Sequence, residues 1–310
     1  MDSTANKSEK LRVGVVGAGR MGTYHLAKLK EHPEVEVVGF YDPNPNFLAE
    51  RPINEVVRFD SLNTLLFEVD AVVISSPTAT HYPNVLKAIH AGVHVLVEKP
   101  FCGDLVAAQE LVELAEKNAV LIQVGFVERH RLSSLKQTFD SRELIYLSCM
   151  RHSSRMNREP SVGVIWDLMI HDVDLVLYLA DEEPDSIEVM GATVVSGEYD
   201  YGVCRLRFPC GLTADLFSSR VAQNDVRALY GLNRGNSFRI DLLASNSGDP
   251  LKEQCIHFVE TIRTGQASPF SGRKALRVLS TMERIHFLLA SKSGRPSKAE
   301  AEVMRPRGDV

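Results

Sequence analysis

The sequence predicts an α/β protein in which a parallel sheet, covered on both faces by helices, is followed by an α/β domain with a large, mostly antiparallel, open-faced sheet. Three features carry this expectation. Short apolar runs alternate with amphipathic stretches up to about residue 124. A glycine-rich turn separates the first apolar run from the first helix. Beyond Gly125 the runs lengthen, and several alternate with polar residues.

Leu11 to Val16 reads as a buried strand, followed by glycines and by a helical pattern through Leu26 and Leu29 that stops before Pro33. Val35 to Tyr41 is the next strand, closed by the turn Asp42-Pro43-Asn44-Pro45 because each proline fixes φ and removes a donor. Asp60 is expected to cap a helix through Leu62, Leu65 and Leu66, and Ala71 to Ser75 is a strand. Tyr82 to Ala91 forms a helix closed by Gly92, and Val93 to Val97 a further strand. Asp104 caps a helix to about Lys117, and Val120 to Val124 completes the parallel set. Longer strands are expected at Leu144 to Met150, Ile187 to Val195, Gly202 to Phe208, Leu212 to Ser219 and Ala228 to Leu243. A helix from about Val164 to Ala180 interrupts them, and helices at Leu251 to Thr264 and Lys274 to Ser291 close the pattern. The expected division is 1–123 and 124–310.

The length of 310 residues suits two domains of roughly 150 residues each. With 35 basic against 40 acidic side chains, the net charge of −5 gives no attraction to nucleic acid or to an anionic membrane, so a small-molecule partner is expected. No apolar run approaches the roughly 18 residues of a spanning helix, and the polar start lacks a signal-peptide core. A cytoplasmic location is therefore expected. Five cysteines without a close pair predict reduced thiols and no metal site.

Gly17-Ala18-Gly19-Arg20-Met21-Gly22 matches G-x-G-x-x-G between the first strand and the first helix. The first glycine permits the turn, the second lets backbone approach a diphosphate, and the third lets helix pack on strand. Asp42 lies 20 residues beyond Gly22 at the end of the second strand, where a carboxylate binds both ribose hydroxyls and repels a 2′-phosphate. The expectation is a Rossmann domain that binds NAD in preference to NADP; the same aspartate also reads as a turn residue capping Asn44. Ser76-Pro77-Thr78 and Glu98-Lys99-Pro100 end two further strands at the same edge. Lys99 there can approach a nicotinamide and a substrate hydroxyl, or simply pair with Glu98.

Further on, Asp167, His171 and Asp174 share one helix face at i, i+4 and i+7. A histidine titrating near neutrality suits proton removal from a secondary alcohol, yet the spacing reads equally as a buried histidine satisfied by its own helix. Upstream, Arg151, His152, Arg155 and Arg158 concentrate positive charge that matches phosphate oxygens in charge and fork geometry, or forms a solvated basic loop.

The ordered set Gly17 to Gly22, Asp42, Ser76-Pro77-Thr78 with His81, Glu98-Lys99-Pro100, Gly125-Phe126 with Arg129, and Asp167-x-x-x-His171 resembles the glucose-fructose oxidoreductase / inositol dehydrogenase (Gfo/Idh/MocA) family. The likeness runs from about residue 11 to residue 180. It implies an NAD(P)-dependent oxidoreductase of CH–OH groups, with Lys99, Asp167 and His171 as the catalytic set. It places Ser76, Pro77, Thr78, His81, Glu98 and Lys99 beside the cofactor, and Arg129 and His171 beside the substrate, where the charge of Arg155 and Arg158 also leads them to be expected. A homodimer or homotetramer formed through the second domain's sheet is also implied. Gly163-Val164-Ile165-Trp166-Asp167, without the family's frequent glycine run, and Met169 in place of a glycine, are most similar to the branch containing UDP-N-acetylglucosamine 3-dehydrogenases of lipid A precursor synthesis. The expected activity is thus oxidation of a secondary hydroxyl on a UDP-amino sugar. A free sugar or inositol is the alternative substrate, and a non-catalytic NAD-binding regulator is the alternative class.

Overall fold

The computed structural model describes residues 10–44, 56–133, 141–153, 162–244 and 248–293. The chain forms two compact units. The first comprises residues 1–130 and 249–276, the second 131–248 and 277–310. A single cut between 123 and 124 does not reproduce this division, because the chain returns to the first unit after the second sheet.

In the first unit, β1 (Leu11–Val16), β2 (Val35–Tyr41), β3 (Ala71–Ile74), β4 (His94–Glu98) and β5 (Ile122–Gly125) form a parallel sheet in the order β2-β1-β3-β4-β5. Helices α1 (Arg20–Lys30), α2 (Leu62–Glu68), α3 (His81–His90), α4 (Leu105–Lys117) and the short α5 (Glu128–Ser133) connect or follow the strands. Alternate residues Val13, Val15, Ala71, Val73 and Leu96 share one core with Leu26 and Leu29 of α1. Cys255, Phe258 and Val259 of α7 (Pro250–Thr264) complete it. The return of α7 thus supplies apolar cover that the helices adjacent in sequence leave incomplete. Asp104 caps α4 as expected, accepting from the Ala107 N–H at 2.8 Å. The cap of α2 is Ser61, whose Oγ accepts from Thr64 N at 3.1 Å; Asp60, expected there, lies one residue too early.

The second unit carries the sheet β11-β10-β6-β9-β8-β7. Its strands are β6 (Leu144–His152), β7 (Ser186–Ala192), β8 (Tyr201–Arg207), β9 (Thr213–Ser219), β10 (Val226–Asn233) and β11 (Ser237–Asp241). Every neighbouring pair is antiparallel except β6 with β9. The expected single strand from Ala228 to Leu243 is a hairpin. Asn233 Oδ1 accepts the N–H groups of Gly235 and Asn236 at 3.1 and 2.6 Å, and this side-chain turn reverses the chain. Leu147, Cys149, Leu206, Leu216 and Leu229 point into the core, whereas Ile145, Met190, Phe217 and Tyr230 are exposed. The expected helix over Val164–Ala180 divides into a π turn, Ile165–Met169, and α6, Ile170–Ala180. Helix α8 (Gly272–Ser293) ends the described chain.

Candidate active site

At the carboxyl edge of the first sheet, Gly17 adopts φ +86°, and a Cβ built there would lie 2.6 Å from the Ser76 backbone N. A Cβ at Gly22 would lie 1.9 Å from the Gly17 carbonyl oxygen, so only glycine lets α1 start this close to the turn. Around Gly19 a Cβ would meet nothing within 4 Å. Gly19 is also the N-cap of α1, and no side chain caps that end. An open glycine beside an uncapped helix N-terminus that begins Arg20-Met21-Gly22 fits a diphosphate on backbone N–H groups. The glycine turn and α1 therefore fit a dinucleotide.

Asp42 joins this turn. Its Oδ2 accepts from Ala18 N at 2.8 Å and its Oδ1 from Asn44 N at 2.9 Å. Each carboxylate oxygen keeps a second acceptor position, so the turn role and a ribose role are compatible. Arg58, which the sequence did not single out, donates to the Asp42 carbonyl oxygen at 3.0 Å and fixes the same corner.

Ser76, Pro77 and Thr78 follow β3, and Ser76 Oγ accepts from Thr80 Oγ1 at 2.8 Å and from Asn84 Nδ2 at 3.1 Å. His81, expected beside the cofactor, is buried instead. Its Nε2 lies 2.8 Å from the Ser76 carbonyl oxygen and its Nδ1 2.9 Å from that of Pro100, so both ring nitrogens face backbone carbonyls and a neutral ring donates to one of them. Burial pushes its pKa down, against the pull of the two carbonyls. Glu98 is the last residue of β4, paired with Gly125 of β5, and Lys99 follows it directly. Arg129, expected at the substrate, is 3% exposed. Its Nη1 donates to the Pro269 carbonyl oxygen at 2.6 Å, and its guanidinium lies 5.5 and 5.7 Å from the ring centres of Phe126 and Phe270. These contacts fix the plane of the guanidinium against two rings and a backbone carbonyl.

In the second unit Asp167 lies within the π turn and His171 at the start of α6, both partly exposed. Asp174, expected on the same face, is fully buried, because α6 is enclosed nearly all round. The π turn departs from the regular helix that the spacing assumed; single π turns of this kind are frequent at functional sites. Nothing in the apolar pattern marks it. Met169, the departure from the family pattern, is buried, and Met169 and Ile165 lie over Gly202 of β8. Arg220, at the end of β9, donates to the Val162 carbonyl oxygen and lies 4.0 Å from Asp167 Oδ2. Sequence reading missed it, since an arginine after a strand has no pattern of its own. Arg151 is no phosphate ligand. It is 2% exposed, and its Nε and Nη2 both donate to Asp172 Oδ1, at 3.0 and 2.8 Å. Arg155 and Arg158 lie outside the described residues. Among the described residues no cluster of His, Cys, Asp and Glu is arranged to hold a metal ion. The five cysteines are unpaired.

A parallel βαβ sheet with this glycine turn and this aspartate, joined to a second α/β unit, defines a nicotinamide-dependent oxidoreductase. Residues 11–126 match the oxidoreductase family with an NAD-binding Rossmann fold, and residues 132–241 match the GFO/IDH/MocA C-terminal domain. The chain belongs to the Gfo/Idh/MocA family and its cofactor is NAD. It is 34% identical over 223 residues to UDP-N-acetylglucosamine 3-dehydrogenase of Acidithiobacillus ferrooxidans, covering 71% of this chain and 70% of that protein. It is 28% identical over 254 residues to myo-inositol 2-dehydrogenase of Thermotoga maritima, covering 76% and 73%. The solved structure of the A. ferrooxidans enzyme superposes with a TM-score of 0.85 at 28% identity, covering 91% of this chain and 98% of that one.

Asp42 sets a first expected result. NAD is expected to bind about ten-fold or more tightly than NADP, a difference of ~1.4 kcal/mol. Asp42→Ser is expected to narrow that ratio by removing the charge that repels a 2′-phosphate. Dissociation constants from quenching of protein fluorescence check this, and equal affinities in the unaltered protein would overturn it.

Proposed function

We propose that this protein is an NAD-dependent dehydrogenase that oxidises a secondary hydroxyl on the sugar of a UDP-amino sugar, UDP-N-acetylglucosamine being the leading candidate. The catalytic reading rests on the place of each residue within its own unit, Lys99 directly after β4 at the edge that carries the glycine turn, and Asp167 with His171 partly exposed at the π turn and the start of α6. His171 removes the hydroxyl proton, Lys99 hydrogen-bonds the same oxygen and stabilises the charge that grows on it, and Asp167 orients the site. NAD, when bound, supplies the hydride acceptor. Gly17, Ala18, Gly19, Arg20, Met21 and Gly22 hold its diphosphate, Asp42 its ribose, and Ser76, Pro77 and Thr78 flank it. A sensor has no use for such a set, which favours an enzyme over a regulator.

The similarity to the A. ferrooxidans enzyme supports the sugar nucleotide; a place in lipid A precursor synthesis is proposed on the resemblance of residues 163–169 to that branch of the family. Arg155 and Arg158 are assigned to the diphosphate on charge alone. The exposed Ile145, Met190, Phe217 and Tyr230 support pairing of the second unit's sheet in a homodimer or homotetramer. No helix among the described residues is long and apolar enough to cross a membrane, which agrees with action in the cytoplasm.

Inhibition by UDP tests the substrate. UDP alone is expected to compete with the sugar nucleotide and not with NAD. Charge reversal at Arg155 and Arg158 is expected to raise KM more than it lowers kcat, because this binding is shared by ground and transition states. The relationship to inositol dehydrogenases supplies the second reading. NADH formation with myo-inositol or a free hexose, and no binding of UDP, would establish it and leave the dehydrogenase class standing.

A further inference from the structure

Lys99 stands between two residues that buried histidines hold. On its N-terminal side, His25 of α1 is 0% exposed, and its Nε2–H donates to Glu98 Oε1 at 2.7 Å. Cys255 Sγ of α7 lies 3.6 Å from the other ring nitrogen, so helices from both ends of the unit's sequence enclose the imidazole. Glu98 has little room to move. A Cβ at Gly125 would lie 3.0 Å from its Oε2 and 3.1 Å from its Cδ, so the absent side chain on β5 makes the space its carboxylate occupies. On the C-terminal side, the buried His81 ring lies between the segments after β3 and β4, with Nδ1 2.9 Å from the Pro100 carbonyl oxygen and Nε2 2.8 Å from that of Ser76; a neutral ring donates to one of them and a protonated ring to both.

We propose that His25 and His81 are positioning residues that hold Lys99 from both sides; the proposal rests on the reading of Lys99 as a catalytic group. The pairing of β4 with β5 ends at Glu98, one residue short of Lys99. A lysine has a flexible four-carbon stem, so its ammonium is placed only as well as the backbone that carries it. Neither histidine reaches a reacting atom in this arrangement, because every ring nitrogen already faces a group of its own unit. The chemistry of the first histidine agrees. Burial alone would lower the pKa of His25, but the hydrogen bonds with Cys255 and Glu98 outweigh burial and raise it to about 10. An imidazolium beside a carboxylate makes a charge-assisted hydrogen bond, which holds Glu98 more firmly than a neutral one.

A displacement of about 1 Å at a catalytic group costs up to roughly 100-fold in rate. His25→Phe and His81→Phe are therefore each expected to lower kcat by about 10- to 100-fold. KM and the NAD dissociation constant should change little, while His25→Gln and His81→Gln, which keep an N–H donor, should recover much of the loss. Turnover is read as NADH formation with UDP-N-acetylglucosamine or myo-inositol, whichever is oxidised. Cofactor affinity and Tm are read in parallel. The deciding measurement repeats each substitution in a Lys99→Met background. A histidine that acts through Lys99 has almost no further effect there, whereas one that merely supports the fold lowers kcat by the same factor in both backgrounds. Equal factors overturn the proposal, as does unchanged kcat in both phenylalanine variants. Should a phenylalanine variant fail to fold, the glutamine variants and Glu98→Gln go through the same cycle, where loss of the effect in the Lys99→Met background supports the proposal and equal factors overturn it. Full turnover in Lys99→Met alone would instead overturn the assignment of Lys99, so the two failures are distinguishable.

Discussion

Lys99→Met is expected to lower kcat by about 10²–10⁴ with little change in NAD affinity, and His171→Ala is expected to do the same. The two side chains are assigned to one oxygen of the substrate, one as hydrogen-bond donor and the other as proton acceptor, so each is used most in the transition state. The diphosphate and ribose contacts are assigned to the glycine turn, α1 and Asp42, none of which either substitution alters. Initial rates and NAD titrations on the same preparations check both halves of the expectation. Near-normal turnover in either variant would remove that residue from the mechanism. A collapse of Tm in His171→Ala would point to a histidine that packs, as the helix spacing alone also allowed.

Arg151→Met is expected to destabilise the second unit by about 3–5 kcal/mol. The guanidinium and the Asp172 carboxylate are 2% and 3% exposed and hydrogen-bonded to each other. Removing the cation takes away the guanidinium that donates two hydrogen bonds to Asp172 Oδ1, and the cost of keeping that carboxylate in the core without it dominates the change. At a few degrees per kcal/mol for a unit of this size, Tm should fall by roughly 10 °C. A double substitution, Arg151→Met with Asp172→Leu, should recover much of the loss because neither charge of the pair then has to be desolvated. If Arg151 were a phosphate ligand, the single variant would keep its Tm and lose affinity for UDP. Thermal unfolding and a UDP titration of the same variant decide between these outcomes.

The contrast between Arg151 and Lys99 shows where sequence reading reaches. β1, with the glycines after it, declares itself because strand, turn and helix succeed one another within a dozen residues and each position obeys a local rule. Asp42 is legible for the same reason, as is the cap of α4. Arg151 resembled its neighbours Arg155 and Arg158 as a surface cation. Its strand alternation aims it inward, and the partner Asp172 waits 21 residues away on another element. The surroundings of Arg129 were hidden in the same way, because the carbonyl it meets belongs to Pro269, 140 residues on, and one of its rings to Phe270.

Local pattern was enough for the α/β class, the order of most elements, the dinucleotide turn with its aspartate, and the family. The class, the elements and the glycine turn rest on periodicities and spacings a few residues long, which the chain encodes wherever it folds, and the family rests on the ordered set of motifs from Gly17 to His171. It took the packed molecule to establish that α7 covers the first sheet, that a π turn carries Asp167, and that His25 and His81 contact the residues on either side of Lys99. The apolar face of α7, formed by Cys255, Phe258 and Val259, would suit either unit, and a histidine in a helix looks alike whether it meets water, a carboxylate or a carbonyl. Its partner is chosen by packing between segments far apart in the chain, and burial then fixes the charge it carries.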